Sequence, residues 1–142
     1  MNADTLIAQL ALSPHPEGGH YRQTWVEQPA SGRPAGTCIY FLLKSGERSH
    51  WHRVDATEIW HFYAGSPLTL RLSPSEHGPA TTHTLGPDLA AGQSPQIIVP
   101  KDHWQAAQAA PEGWALVGCT VSPGFSFEGF TLAPPGFDIP GS

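Results

Sequence analysis

The sequence predicts an all-β protein, a sandwich or barrel of short strands preceded by one short helix. Two observations carry this. Runs of five to nine residues rich in Val, Ile, Leu, Thr, Phe, Trp and Tyr recur from Gly19 onward, and β-branched and aromatic residues favour a pleated, half-buried surface. Each run is bounded by Gly, Pro, Ser or Asp, so turn signals punctuate the chain at regular intervals. At 142 residues the chain reads as one domain, 1–142, long enough to close around a single core.

The first element is an N-terminal helix within residues 1–14. Leu6, Ile7, Leu10 and Ala11 recur at helical spacing, Asp4-Thr5 supplies the cap, and Ser13-Pro14-His15-Pro16 ends it. Strands follow at Gly19 to Glu27, Thr37 to Lys44, Ser49 to Val54, Glu58 to Ala64 and Leu68 to Ser73. Thr81 to Leu85, Gln96 to Pro100, Trp114 to Val121 and Phe127 to Leu132 complete the series. Ala106 to Ala110 has helix-forming composition but is short and lies between strand signals, so it reads as strand or loop. The tail, 134–142, holds too much Pro and Gly for regular structure, and Phe137 and Ile139 are the residues that would pin it to the surface.

Composition removes several classes of function. A net charge of −5 and a pI near 5.8 leave no basic patch, so nucleic acid is not an expected partner. No apolar run approaches the roughly 20 residues that span a bilayer, and no polybasic cluster would anchor the chain to one. Met1 to Leu6 lacks the basic-then-apolar profile of a secretion signal. Cys38 and Cys119 lie in apolar runs and read as free buried thiols, which makes the cytoplasm the expected location.

Polar chemistry concentrates between Gly46 and Gly65. His50, His52, Glu58 and His61 fall here, within two strand-like runs. Residues of equal parity on a strand share a face, so His50 and His52 project together, while Glu58, Trp60 and Phe62 share one face and Ile59, His61 and Tyr63 the other. Imidazole and carboxylate are ligand types for a divalent metal, and equally the parts of an acid–base pair. A solvated His50 and a hydrogen-bonded core His52 are the competing reading.

The block resembles the first motif of the cupin superfamily: Gly, five residues, His, one residue, His, three or four residues, Glu, six residues, Gly. Counting from Gly46 puts His52 on the first His, Val54 on the second, Glu58 on the Glu and Gly65 on the closing Gly. An alternative register keeps His50 and His52 as the ligand pair. The counterpart of the second motif is Pro100-Lys101-Asp102-His103-Trp104-Gln105, in which Asp102 replaces the turn Gly and Gln105 takes the metal-His position. The stretches His15-Pro16-Glu17-Gly18-Gly19-His20-Tyr21-Arg22, Glu58-Ile59-Trp60-His61-Phe62-Tyr63-Ala64-Gly65 and Leu116-Val117-Gly118-Cys119-Thr120-Val121 are similar to one cupin subfamily of unknown function. Members resemble in fold the dTDP-sugar epimerases of rhamnose synthesis.

That resemblance implies a double-stranded β-helix, or jelly roll, commonly a homodimer, with a pocket for a small polar molecule, sugar-like or a small acid. The resemblance supplies no reaction of its own; the fold-level likeness to those epimerases suggests an isomerase- or epimerase-type enzyme in which His52 and Glu58 act as base and acid, or as metal ligands, and Tyr63 as a proton donor. Arg22, Tyr40, Trp60, Trp104 and Gln105 would shape the substrate site. His52, Glu58 and Gln105 would be the ligands of a divalent metal, with His50 added in the alternative register. The alternative is a non-catalytic cupin that binds a small ligand in the same pocket. Glu17 reads as a turn-capping or dimer-contact residue, or else as a general base at the pocket mouth.

Overall fold

A computed structural model describes residues 1–141. A short helix, α1 (Ala3–Gln9), leads into eleven strands. These are β1 (Ser13–Pro14), β2 (His20–Val26), β3 (Thr37–Leu43), β4 (Arg48–Val54), β5 (Thr57–Gly65) and β6 (Leu68–Ser73). They continue with β7 (Thr81–Leu85), β8 (Gln96–Val99), β9 (Trp104–Ala109), β10 (Ala115–Ser122) and β11 (Phe130–Leu132). All named strand pairs are antiparallel and form two sheets, ordered β1-β2-β3-β10-β5-β8 and β11-β4-β9-β6-β7. The fold is a jelly roll.

Two local expectations are corrected, and one left open is decided. The helix is capped by Asn2, whose side-chain oxygen accepts from the Thr5 amide at 2.8 Å, and not by Asp4 or Thr5; it stops at Gln9. Residues Phe127–Gly129 form a 3₁₀ turn, so the last strand begins only at Phe130. The ambiguous alanine-rich segment is β9, paired on both sides with β4 and β6. Alanine has no strand preference of its own. Here its small side chain lets neighbouring strands and Trp51 pack closely, and tertiary context overrides propensity.

Alternation along the strands divides the space between the sheets in two. Phe41, Leu43, Trp60, Leu70, Leu85 and Val117 fill one end as a closed apolar core. At the other end the same faces carry Thr37 and Ile39 of β3, Glu58 of β5, and Cys119 and Val121 of β10, and these line a cavity. One inward-facing row thus passes from core to cavity within a single strand. Trp60 sits at the boundary.

Outer faces are covered too. Leu6 and Leu12 pack against Leu42 on the outside of the larger sheet. Residues 134–141 cross the outside of the smaller sheet, where Ile139 is fully buried beside Trp51 and Trp104. Trp51 Nε1 donates to Asp138 Oδ1 at 2.8 Å and Arg71 reaches the same carboxylate at 3.3 Å. Phe137 stacks on Trp104 at 5.4 Å. Ser142, the end of the expected tail, lies outside the described residues.

Candidate active site

The cavity has a volume of about 210 Å³ and opens at the end of the sandwich opposite the core. Two imidazoles and two carboxyls converge on it: His15 and Glu17 from the turn before β2, His52 from β4 and Glu58 from β5. The turn reaches the cavity because Gly18 and Gly19 adopt positive φ, at 111° and 80°, which glycine alone adopts without strain. The His50 amide donates to the Glu17 carbonyl at 2.7 Å and ties the turn to β4.

Hydrogen bonds fix the tautomers. His52 Nδ1 lies 2.7 Å from the His50 carbonyl, so that nitrogen carries the proton and Nε2 presents its lone pair to the cavity. Nε2 makes no hydrogen bond among the described residues; Glu17 Oε1 lies 3.5 Å away. His15 Nδ1 accepts from the Glu17 amide at 3.2 Å and stands 3.4 Å from the same carboxyl oxygen. Ser49 Oγ donates to Glu17 Oε2.

Glu58 is held from beneath. Gln105 Nε2 donates to Glu58 Oε1 at 2.9 Å, and Gln105 Oε1 accepts from Trp60 Nε1 at 2.8 Å. An indole N–H can only donate, so the Gln105 oxygen must face Trp60 and its amino group must face Glu58. Gln105→Leu would strand the indole N–H and one carboxyl oxygen. It is expected to cost about 2–4 kcal/mol in urea unfolding, from two buried groups left unpaired.

Burial sets the protonation states. It pushes the Glu58 carboxyl up to about 6 against the pull of His52, and the nearby Glu17 carboxyl raises it further. Glu17 is itself raised by burial. Burial lowers both His52 and His15, and it drives the Cys119 thiol well above its ordinary value, with Glu58 adding to the effect. Imidazoles held below their ordinary range beside a carboxyl raised to about 6 are suited to proton transfer.

Several expected site residues lie elsewhere. A β-bulge between Ser49 and His52 breaks the parity count, so Ser49 joins His52 on the cavity side. His50 turns outward, with Nε2 3.0 Å from the Pro134 carbonyl, and the His50/His52 pair does not form. Tyr40 follows Ile39 by one residue and faces outward, beneath the Arg22 guanidinium at 5.6 Å. Tyr63 is 48% exposed and packs edge-on against Tyr40 at 6.2 Å, on the outer face of the sheet that carries Glu58 on its inner one. It cannot donate a proton in the cavity. Trp104 belongs to the outer cluster beneath the tail, with Arg53 stacked over it at 5.1 Å. Trp60 and Gln105 support Glu58 without lining the cavity.

The metal expected from the spacing does not fit these side chains. Val54 offers no donor where a second His would stand, and Gln105 turns its amino group, not its oxygen, toward Glu58. Among the described residues no group of three His, Cys, Asp or Glu side chains is arranged to hold a metal ion. The turn Gly of the second motif survives as a conformation: Asp102 takes φ 65°, a left-handed value that Asp tolerates.

Sequence reasoning passed over His15, Ser49, Tyr21, Phe125 and Phe127. The one signal available was the polar cluster in His15-Pro16-Glu17-Gly18-Gly19, a turn that carries more ionisable chemistry than a turn requires.

Comparison with known proteins decides the family. Residues 4–133 match the family described as Cupin superfamily (DUF985). The chain belongs to this cupin family. A protein from Shewanella oneidensis, solved by X-ray crystallography, is 46% identical with a TM-score of 0.87, over 94% of this chain and 85% of that one. A hypothetical protein from Leishmania major is 28% identical with a TM-score of 0.82, over 96% and 90% of the two chains. A variant of oxalate decarboxylase from Bacillus subtilis shares the fold at 19% identity and a TM-score of 0.64. The match covers 84% of this cupin but only 29% of that longer chain. No curated protein matches. No helix among the described residues is long and apolar enough to cross a membrane.

Proposed function

We propose that this cupin catalyses proton transfer on a small, sugar-like molecule held in the cavity, with His52 as base and Glu58 as acid, an isomerase- or epimerase-type reaction. The observation that carries the reading is the arrangement of His52 Nε2. It is a neutral imidazole nitrogen whose lone pair is directed by its partner bond into a cavity that also holds two raised carboxyls. A base poised to accept and an acid poised to give, within one cavity, is what moving a hydrogen between carbons or across a stereocentre requires. A sugar-like molecule is favoured over a small acid because no Lys or Arg lines the cavity, whereas carboxyl groups there would repel an anion.

The test is incorporation of solvent deuterium, followed by NMR, into a panel of small aldoses and ketoses. The wild type should label at least one carbon position, and His52→Gln should not. Absence of labelling across the panel, with intact binding, favours the non-catalytic ligand-binding alternative.

The pH profile should be a bell whose limbs belong to the cluster as a whole. His52 must be deprotonated, so activity falls as pH drops through its lowered range. Glu58 must hold its proton, so activity also falls as pH rises through about 6. Glu17→Gln removes a charge that raises Glu58, and it should move the alkaline limb to lower pH. A limb that stays in place would remove Glu17 from the cluster.

We further propose that the chain works as a homodimer. Light scattering should return twice the 15.2 kDa chain mass.

A further inference from the structure

We infer that the molecule taken by this cavity carries a protonated amino group, seated on the Glu17 carboxylate between aromatic side chains. The inference rests on the cavity being the working site, as proposed above, and adds the ligand's charge class.

The Glu17 side chain is only 8% exposed, yet none of the side chains that line its cavity is a Lys or Arg. Its hydrogen-bonding partner Ser49 is neutral. The ionisable groups that face it are His15 from its own turn, Tyr21 from β2, His52 from β4, Glu58 from β5 and Cys119 from β10. Both imidazoles are held below their ordinary range by burial, so neither supplies a standing positive charge near neutral pH. Burial raises the Glu17 carboxyl, so its charge is disfavoured while no cation faces it, and a ligand ammonium group would restore that charge. A buried carboxylate without a cation is costly, and a ligand that brings one removes the cost.

The walls suit the same group. Tyr21 packs edge-on against His15 at 4.5 Å and Phe127 lies 6.3 Å from it, which places aromatic rings on two sides of the imidazole nearest Glu17. Phe125 packs against Phe127 at 4.9 Å. Aromatic faces attract cations, most strongly where water is excluded. A second observation points to a ligand and not to a merely acidic lining. His52 is 2% exposed, and its Nε2, aimed into the cavity, makes no hydrogen bond among the described residues. A ligand N–H or O–H is the donor that atom lacks.

The probes are cyclohexylamine, cyclohexanol and cyclohexanecarboxylate, which share one ring, differ in charge and present no hydroxyl stereochemistry. Binding to the full chain would be measured by calorimetry at pH 7.5. The amine should bind at least tenfold more tightly than the alcohol, and the carboxylate most weakly. Glu17→Gln should cut amine affinity at least tenfold while leaving the alcohol within twofold, which also reports that the cavity has kept its shape. Equal or tighter binding of the alcohol or the carboxylate, undetectable binding of the amine, or an amine preference that survives Glu17→Gln overturns the inference. The deuterium test above is read independently: labelling of a neutral sugar with no amine preference would sink the charge class and leave the proton-transfer reading standing.

Discussion

Glu58→Gln is expected to lower turnover by roughly 10²–10⁴-fold and, at pH 7.5, to make the protein more stable. Both effects come from one burial. The Glu58 carboxyl sits at about 6 in the fold against an ordinary 4.5. Between these values the folded protein binds more protons than the unfolded chain, so stability falls as pH rises through the window. A displacement of that size corresponds to about 2 kcal/mol. Glutamine keeps the shape and has no proton to lose. The variant should therefore gain about 2 kcal/mol at pH 7.5 and nothing near pH 4. His15 and His52 work in the opposite direction, since their lowered values cost stability as pH falls below 6.5. Glu58 also holds His52 up, so the comparison is made at pH 7.5, above the range of both lowered imidazoles, where the difference in urea unfolding reports Glu58. A non-catalytic binding protein would show the stability gain with no turnover to lose.

Gly18→Ala should be damaging in a different way. Gly18 takes φ 111°, where an L side chain is strained, and a Cβ there would run into the Arg48 carbonyl. Backbone strain and overpacking together predict a loss of about 2–4 kcal/mol. The clash can be relieved only by lifting the turn off β4. That movement carries Glu17 away from His52 and Ser49, so activity should fall as well. Gly46→Ala is the control, because Gly46 also has positive φ, at 70°, but nothing lies within 4 Å of its added Cβ. Thermal unfolding should show a drop of roughly 6–15 °C for Gly18→Ala and a much smaller one for Gly46→Ala. Equal drops would mean that the contact with Arg48 is unimportant.

Legibility in the sequence followed the physics of each segment. Strands β6 and β7 occupy Leu68–Ser73 and Thr81–Leu85, the limits expected from β-branched residues bounded by proline and glycine. The strand β9 was ambiguous because Ala106 and Ala107 take their role from the neighbours they accommodate, which composition does not record. His52 and Glu58 were legible because each lies on a strand at a fixed spacing from a glycine. Tyr63 was not, although parity alone separates it from Glu58: five residues along a strand lead to the opposite face. The same alternation placed Tyr40 outside the cavity and Ile39 inside it. His50 stayed open between ligand and solvated residue for a different reason, since the bulge that turns it outward leaves no mark in the residue pattern. Glu17 and His15 needed the whole fold, because a turn between β1 and β2 meets β4 only when the two sheets close on each other.

The central claim is that two carboxyls and an imidazole in one cavity hold a mobile proton near neutral pH. It is tested most directly by carbon-13 NMR titration of the glutamate side chains, with Glu58 assigned by its loss in Glu58→Gln. The account predicts an apparent pKa for Glu58 of about 6, falling when Glu17 is replaced by Gln. Titration of Glu58 at the ordinary carboxylate value, unaffected by Glu17→Gln, would contradict it.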